Sequence, residues 1–406
     1  MRRILVVIMS ALLGAGLASP AAHAAASEPD IHAVADWNGL ALDAVRLTRA
    51  SDADAARLYA LVDVAVYDAV NGISGTYTPA LVTGRGPRHA NPQAAAASAA
   101  HAVLVRTDAA RASVYDARLA ADLAALHRGV DSGAAWGAAV GAAVVEARAA
   151  DGSTPVESQP AGSGPGVFRS AWSGAQYRNV RPFAITAPAR HVPAAPPAPD
   201  SAAYATAYAE VAALGDASVD RPDLLATYQF WSLPAGSVQP PGEWLRIALT
   251  VAESRHLRLA DESRLAALLT MALADTTVVT VSTKFTYRHW RPTTAIRETT
   301  DPAWTARAGS VGGTPEYVSG HSSYSGAAAT VLAAFFHTDR IAFAHTTDSA
   351  PGAAARTYPG FSAAAAEAGR SRVYGGLHFD FSNRAGLSAG GAVAREVLAT
   401  ALRPRH

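Results

Sequence analysis

The stretch AARLYALVDVAVYDAVN, residues 55–71, sets the pattern for the whole chain. Leu58, Leu61, Val62, Val66 and Val70 recur at three- and four-residue spacing, which puts them on one helix face and excludes the alternation of a half-buried strand. The same spacing predicts helices over 92–106, 109–127, 134–150, 201–214, 242–256, 261–280, 323–337 and 385–402. Period-2 alternation is scarce, so the expected fold class is all-α, a helical bundle.

Composition narrows what such a bundle does. The 406 residues hold 34 Lys plus Arg against 33 Asp plus Glu, a balance that lacks the basic excess a nucleic-acid binder needs. Residues 1–24 read as a signal peptide: Arg2 and Arg3, an apolar run from Ile4 to Leu17, and small residues around Ala22-His23-Ala24. Export is therefore expected, with a mature chain starting near Ala25 that is secreted without a membrane span. There is no cysteine, so stability must come from packing. An N-terminal helical half (25–150) and a C-terminal half (201–406) flank a Gly/Pro-rich surface segment (151–200), and the halves are expected to form one integrated domain.

Lys284 is the only lysine in the chain. It opens the stretch Lys284-Phe285-Thr286-Tyr287-Arg288-His289-Trp290-Arg291-Pro292, where a helix ending near Pro292 would align Lys284, Arg288 and Arg291 as a cationic stripe. Three adjacent cations are best accounted for by an anion among them. A second cluster, Ser319-Gly320-His321, stands where a loop enters a helix, and a helix start offers free N–H groups to an oxyanion. Gly320-His321-Ser322 also begins like a nucleophile elbow, but Tyr324 replaces the final glycine and no strand precedes it. The third cluster is Ser371-Arg372, with His378 six residues after the arginine.

In this order the three clusters resemble the vanadium-dependent haloperoxidase and type 2 phosphatidic acid phosphatase (PAP2) superfamily, whose pattern is Lys-x6-Arg-Pro, Pro-Ser-Gly-His and Ser-Arg-x5-His-x3-Asp. Val318 stands for the proline of the second motif, and Ser382 stands where the final aspartate belongs, with Asp380 two residues too early. The resemblance implies that Lys284, Arg291, Ser319, Gly320 and Arg372 bind vanadate or phosphate. It implies that His378 is the vanadium ligand or phosphorylated nucleophile, and that His321 is the acid or base. Arg288, Asp380 and Ser382 are candidate supporting residues, the last two as partners of His378.

The function implied is a secreted vanadate-dependent haloperoxidase acting on hydrogen peroxide, a halide and an organic acceptor. The alternatives are a secreted acid phosphatase with a phosphohistidine intermediate, acting on a phosphate ester without cofactor, and an oxyanion-binding member that has lost turnover. The resemblance also admits a homodimer.

Overall fold

The computed structural model describes residues 32–405; the expected signal peptide, 1–24, lies outside them. The N-terminal helices are α1 (Ala33–Thr48), α2 (Asp52–Ser74), α3 (Pro92–Thr107), α4 (Ala112–Ala125) and α5 (Val130–Ala147). Then come α6 (Ala202–Leu214), α7 (Pro222–Phe230), α8 (Gln239–Ser254), α9 (Leu259–Tyr287) and α10 (Pro292–Thr299). The last three are α11 (Gly320–Phe335), α12 (Phe361–Tyr374) and α13 (Asp380–Thr400). Strands are confined to two short antiparallel pairs, so the described residues form the all-α architecture expected.

The opening stretch lies within α2, which runs three residues further at each end. Ser51 caps its start by accepting from the Asp54 N–H at 3.1 Å, and Asp52 and Asp54 complement the helix dipole. α2 packs on α3 and α5 on one side and on α8 and α9 on the other, and this joins the two halves through one core. α9 is long and apolar enough to cross a membrane by composition, yet most of it is buried inside the protein, the position of a central core helix.

α11 and α13 make the most extensive contact of the C-terminal half. Their backbones touch at Gly326 against the Leu387 carbonyl and at Gly390 against the Ser323 carbonyl, where a Cβ has no room. This approach fixes the start of α11, with Ser319, beside the start of α13, which His378 precedes.

The segment 151–200 is a strap tied to the central helix as well as a surface element. Strand β1 (Ser158–Gln159) pairs with β2 (Trp172–Ser173), and Phe168 and Trp172 are buried against Val281 and Phe285. Further along, the N–H groups of Phe183, Ala184 and Ile185 donate to the Asp275 carboxylate of α9 at 2.6, 2.8 and 2.9 Å.

Candidate oxyanion site

The first motif does not form one helical stripe. α9 ends at Tyr287, and Arg288 takes a left-handed conformation (φ 46°) with its N–H on the Lys284 carbonyl. Arg291 precedes a proline, which disfavours helical geometry; it is extended (φ −82°, ψ 154°), and Pro292 starts α10 instead of ending α9. The turn leaves Lys284 and Arg291 buried and points Arg288 away, its Nη2 donating to the Pro160 carbonyl at 2.7 Å. Arg288 is thus removed from the candidate supporting set.

The second motif begins α11 three residues earlier than periodicity predicts. Ser319 is its N-cap, the hydroxyl accepting from Ser322 N–H at 3.3 Å, which leaves the first-turn N–H groups of Gly320 and His321 without intrahelical acceptors. In the third, Arg372 occupies the last turn of α12, and the chain turns at Gly375 and Gly376 so that the Leu377 and His378 N–H groups reach back to the Arg372 carbonyl at 3.0 and 3.4 Å.

Tertiary packing brings the three together. Arg291 Nη1 donates to His378 Nε2 at 2.9 Å and to the Leu377 carbonyl at 2.8 Å, and its Nε donates to the Thr314 carbonyl at 2.8 Å. Lys284 Nζ donates to the Pro315 carbonyl. Arg372 makes one long bond, Nη1 to the Trp231 carbonyl at 3.4 Å, while its buried Nε has no protein partner. His321 Nε2 lies 3.1 Å from the Ser232 carbonyl; a carbonyl only accepts, so Nε2 carries the proton and Nδ1 is left as acceptor. Asp52, at the start of α2, lies beside Gly320, so the N-terminal half borders the site.

Burial sets the charges. It pulls Lys284 down to about 7, with Arg291 adding repulsion against the weaker attraction of Glu316 and Asp52. Arg291 and Arg372 are each pulled down to about 10, chiefly by burial. Burial and then Arg291 hold His378 at about 3 despite Glu316, and burial and then Arg372 hold His321 well below its ordinary value. Both imidazoles are therefore neutral near pH 7, in a pocket whose buried cations are undercompensated. Such a pocket suits an oxyanion.

The acid beside His378 is neither of the two candidates. Asp380 pairs with Arg370 at 2.9 Å and Arg384 at 3.1 Å, and accepts from Asn383 at 3.1 Å. Ser382 Oγ stands 3.5 Å from His378 Nδ1 and donates to the Glu316 carbonyl at 3.3 Å, a marginal contact. The carboxylate is that of Glu316, whose Oε1 lies 3.0 Å from His378 Nδ1. Sequence reasoning looks for it after the histidine. Its one local signal is that Asp301 and Glu316 are the only acids in the loop 300–318, and Glu316 stands three residues before Ser319. His289 and Asp52 likewise adjoin the site without a local pattern that marks them.

Residues 264–406 match the family model of the VCPO second helical-bundle domain. Among solved structures, the chain is similar to the first bacterial vanadium-dependent iodoperoxidase, at 22% identity over 94% of this chain and 100% of that chain, with a TM-score of 0.84. It is also similar to the holo form of a bacterial vanadium-dependent chloroperoxidase, at 16% identity over 86% of this chain and 92% of that chain, with a TM-score of 0.67. No curated protein sequence matches it. The C-terminal segment thus matches the VCPO second helical-bundle model, and the chain shares the helical fold of these bacterial vanadium-dependent haloperoxidases.

Proposed function

We propose that this protein is a secreted vanadate-dependent haloperoxidase that oxidises halide with hydrogen peroxide. The observation that carries the reading is the His378 imidazole, neutral, with Nε2 turned to Arg291 and Nδ1 to Glu316. The donor set fits vanadate: the orphaned Arg372 Nε, the depressed Lys284 ammonium and the free first-turn N–H groups of α11 are all short of negative charge.

Lys284, Arg291 and Arg372 would hold the anion's charge, the guanidinium groups by forked donation and the ammonium as a point charge. Ser319 Oγ and Gly320 N–H would orient it, and His378 Nε2 would bind its central atom. Bound vanadate would supply the Lewis-acidic centre at which peroxide is activated toward halide. His321 Nδ1 would accept and return the proton that peroxide loses on binding. Removing a single preorganised donor of this kind costs about 100- to 1,000-fold in turnover.

The purified mature chain should show peroxide-dependent bromination or iodination that rises with added orthovanadate. Phosphate-ester hydrolysis inhibited by vanadate, with no halogenation, would overturn the reading in favour of a phosphatase at the same histidine. Inactivity in both assays would favour the member without turnover.

A further inference from the structure

We propose that Glu316 is the positioning carboxylate of the oxyanion site, holding His378 in the Nδ1–H tautomer so that the Nε2 lone pair faces the cationic cup. The tautomer follows from the two partners. A guanidinium has no acceptor, so the 2.9 Å contact with Arg291 Nη1 requires a lone pair on His378 Nε2. An ionised carboxylate has no donor, so the 3.0 Å contact with Glu316 Oε1 requires the proton on Nδ1. The same oxygen accepts from the Phe379 N–H, so Oε1 is the acceptor toward both neighbours.

Glu316 is also built into place. Its N–H donates to the His289 carbonyl at 2.9 Å, its Oε1 accepts from Phe379 N–H at 3.1 Å, and its side chain is fully buried. The second oxygen, Oε2, lies 3.3 Å from His289 Nδ1. That imidazole is enclosed by Tyr204, Phe379 and Phe381 at 6.1, 5.7 and 5.7 Å between ring centroids. One carboxylate therefore stands between a histidine in the cup, to which it is hydrogen-bonded, and a histidine in an aromatic box behind it, which it approaches without a hydrogen bond. A carboxylate behind a ligating histidine fixes ring orientation and raises basicity at the far nitrogen. Here it comes from the loop before Ser319, because α13 turns Asp380 outward to Arg370 and Arg384.

The proposal rests on reading His378 as the residue that meets the oxyanion, but its first test needs no anion. Long-range proton–nitrogen correlation spectra of the full mature chain, labelled with ¹⁵N-histidine, report the tautomer, and a His378→Gln spectrum identifies the signals of His378. The wild type should show Nδ1–H, and so should Glu316→Gln, whose amide oxygen still accepts from His378 and Phe379. Glu316→Leu removes the acceptor while Arg291 still faces the Nε2 lone pair, so the Nδ1 proton should stay but its signal should move upfield and exchange with water faster than in the wild type.

Wild-type His378 in the Nε2–H form would overturn the proposal even if the leucine variant failed to fold. So would an Nδ1–H signal unchanged in shift and exchange rate in folded Glu316→Leu. In calorimetric titration with orthovanadate, Glu316→Leu should bind about 10- to 100-fold more weakly than wild type. Absence of vanadate binding by the wild type together with the Nδ1–H signature would sink the haloperoxidase reading and still support the positioning role.

Discussion

Lys284 should make oxyanion affinity fall as pH rises, by an amount the structure sets. Burial and the nearby Arg291 bring its ammonium from 10.5 to about 7. An anion about 4 Å away contributes roughly 4 kcal/mol of attraction at an effective dielectric of about 20. That is about 3 pKa units, enough to return the lysine close to its ordinary value. Binding above pH 7 then takes up a proton. The charged fraction of free Lys284 drops from about nine-tenths at pH 6 to about one-hundredth at pH 9, which weakens binding roughly 80-fold.

The assay is calorimetric titration of the full chain with inorganic phosphate at pH 6, 7, 8 and 9, on wild type and on Lys284→Gln. Glutamine has no proton to take up, and the ratio of the two affinities cancels the titration of the anion itself. That ratio should fall by roughly 80-fold across the range; a constant ratio would refute the argument. Stability of the ligand-free protein runs the opposite way. Between about 7 and 10.5 the unfolded chain keeps the lysine proton and the folded chain does not, so this group makes stability rise with pH there. Saturating anion should flatten that slope.

His378→Ala should reduce vanadate-dependent halogenation to background while circular dichroism stays that of the wild type; retained turnover would place the chemistry elsewhere. Asp380→Asn should leave orthovanadate affinity within about twofold, because its carboxylate serves Arg370 and Arg384, and a tenfold loss (about 1.4 kcal/mol) would restore it as the partner of His378. Gly390→Ala inserts a methyl group against the Ser323 carbonyl and should cost about 1–3 kcal/mol in denaturant unfolding, since neither backbone can yield cheaply.

Periodicity makes α2, α3, α8 and α13 legible because their apolar side chains repeat on a face. It does not mark α1, with Asn38 and Gly39 in mid-helix, or α12, where Ala364, Ala365, Ala368 and Gly369 pack by smallness and leave a weak apolar signal. The hinge at Arg288 escapes notice for a different reason. Lys284, Arg288 and Arg291 have helical spacing, and only the restriction that Pro292 places on Arg291 breaks it.

The three motifs were readable along the chain because each is local: a lysine and arginine around one turn, a capped helix start, an arginine and histidine around one glycine turn. Local clusters and the family pattern they resemble named seven candidate site residues, Lys284, Arg291, Ser319, Gly320, His321, Arg372 and His378, and periodicity named the helical class of the fold. Their convergence, the exclusion of Arg288 and Asp380, and the choice of Glu316 as partner of His378 were decided by the tertiary structure. A hydrogen bond across 62 residues leaves no spacing rule in the sequence. It exists because α11 and α13 pack backbone to backbone at Gly326 and Gly390, which brings the loop before Ser319 against the turn before α13.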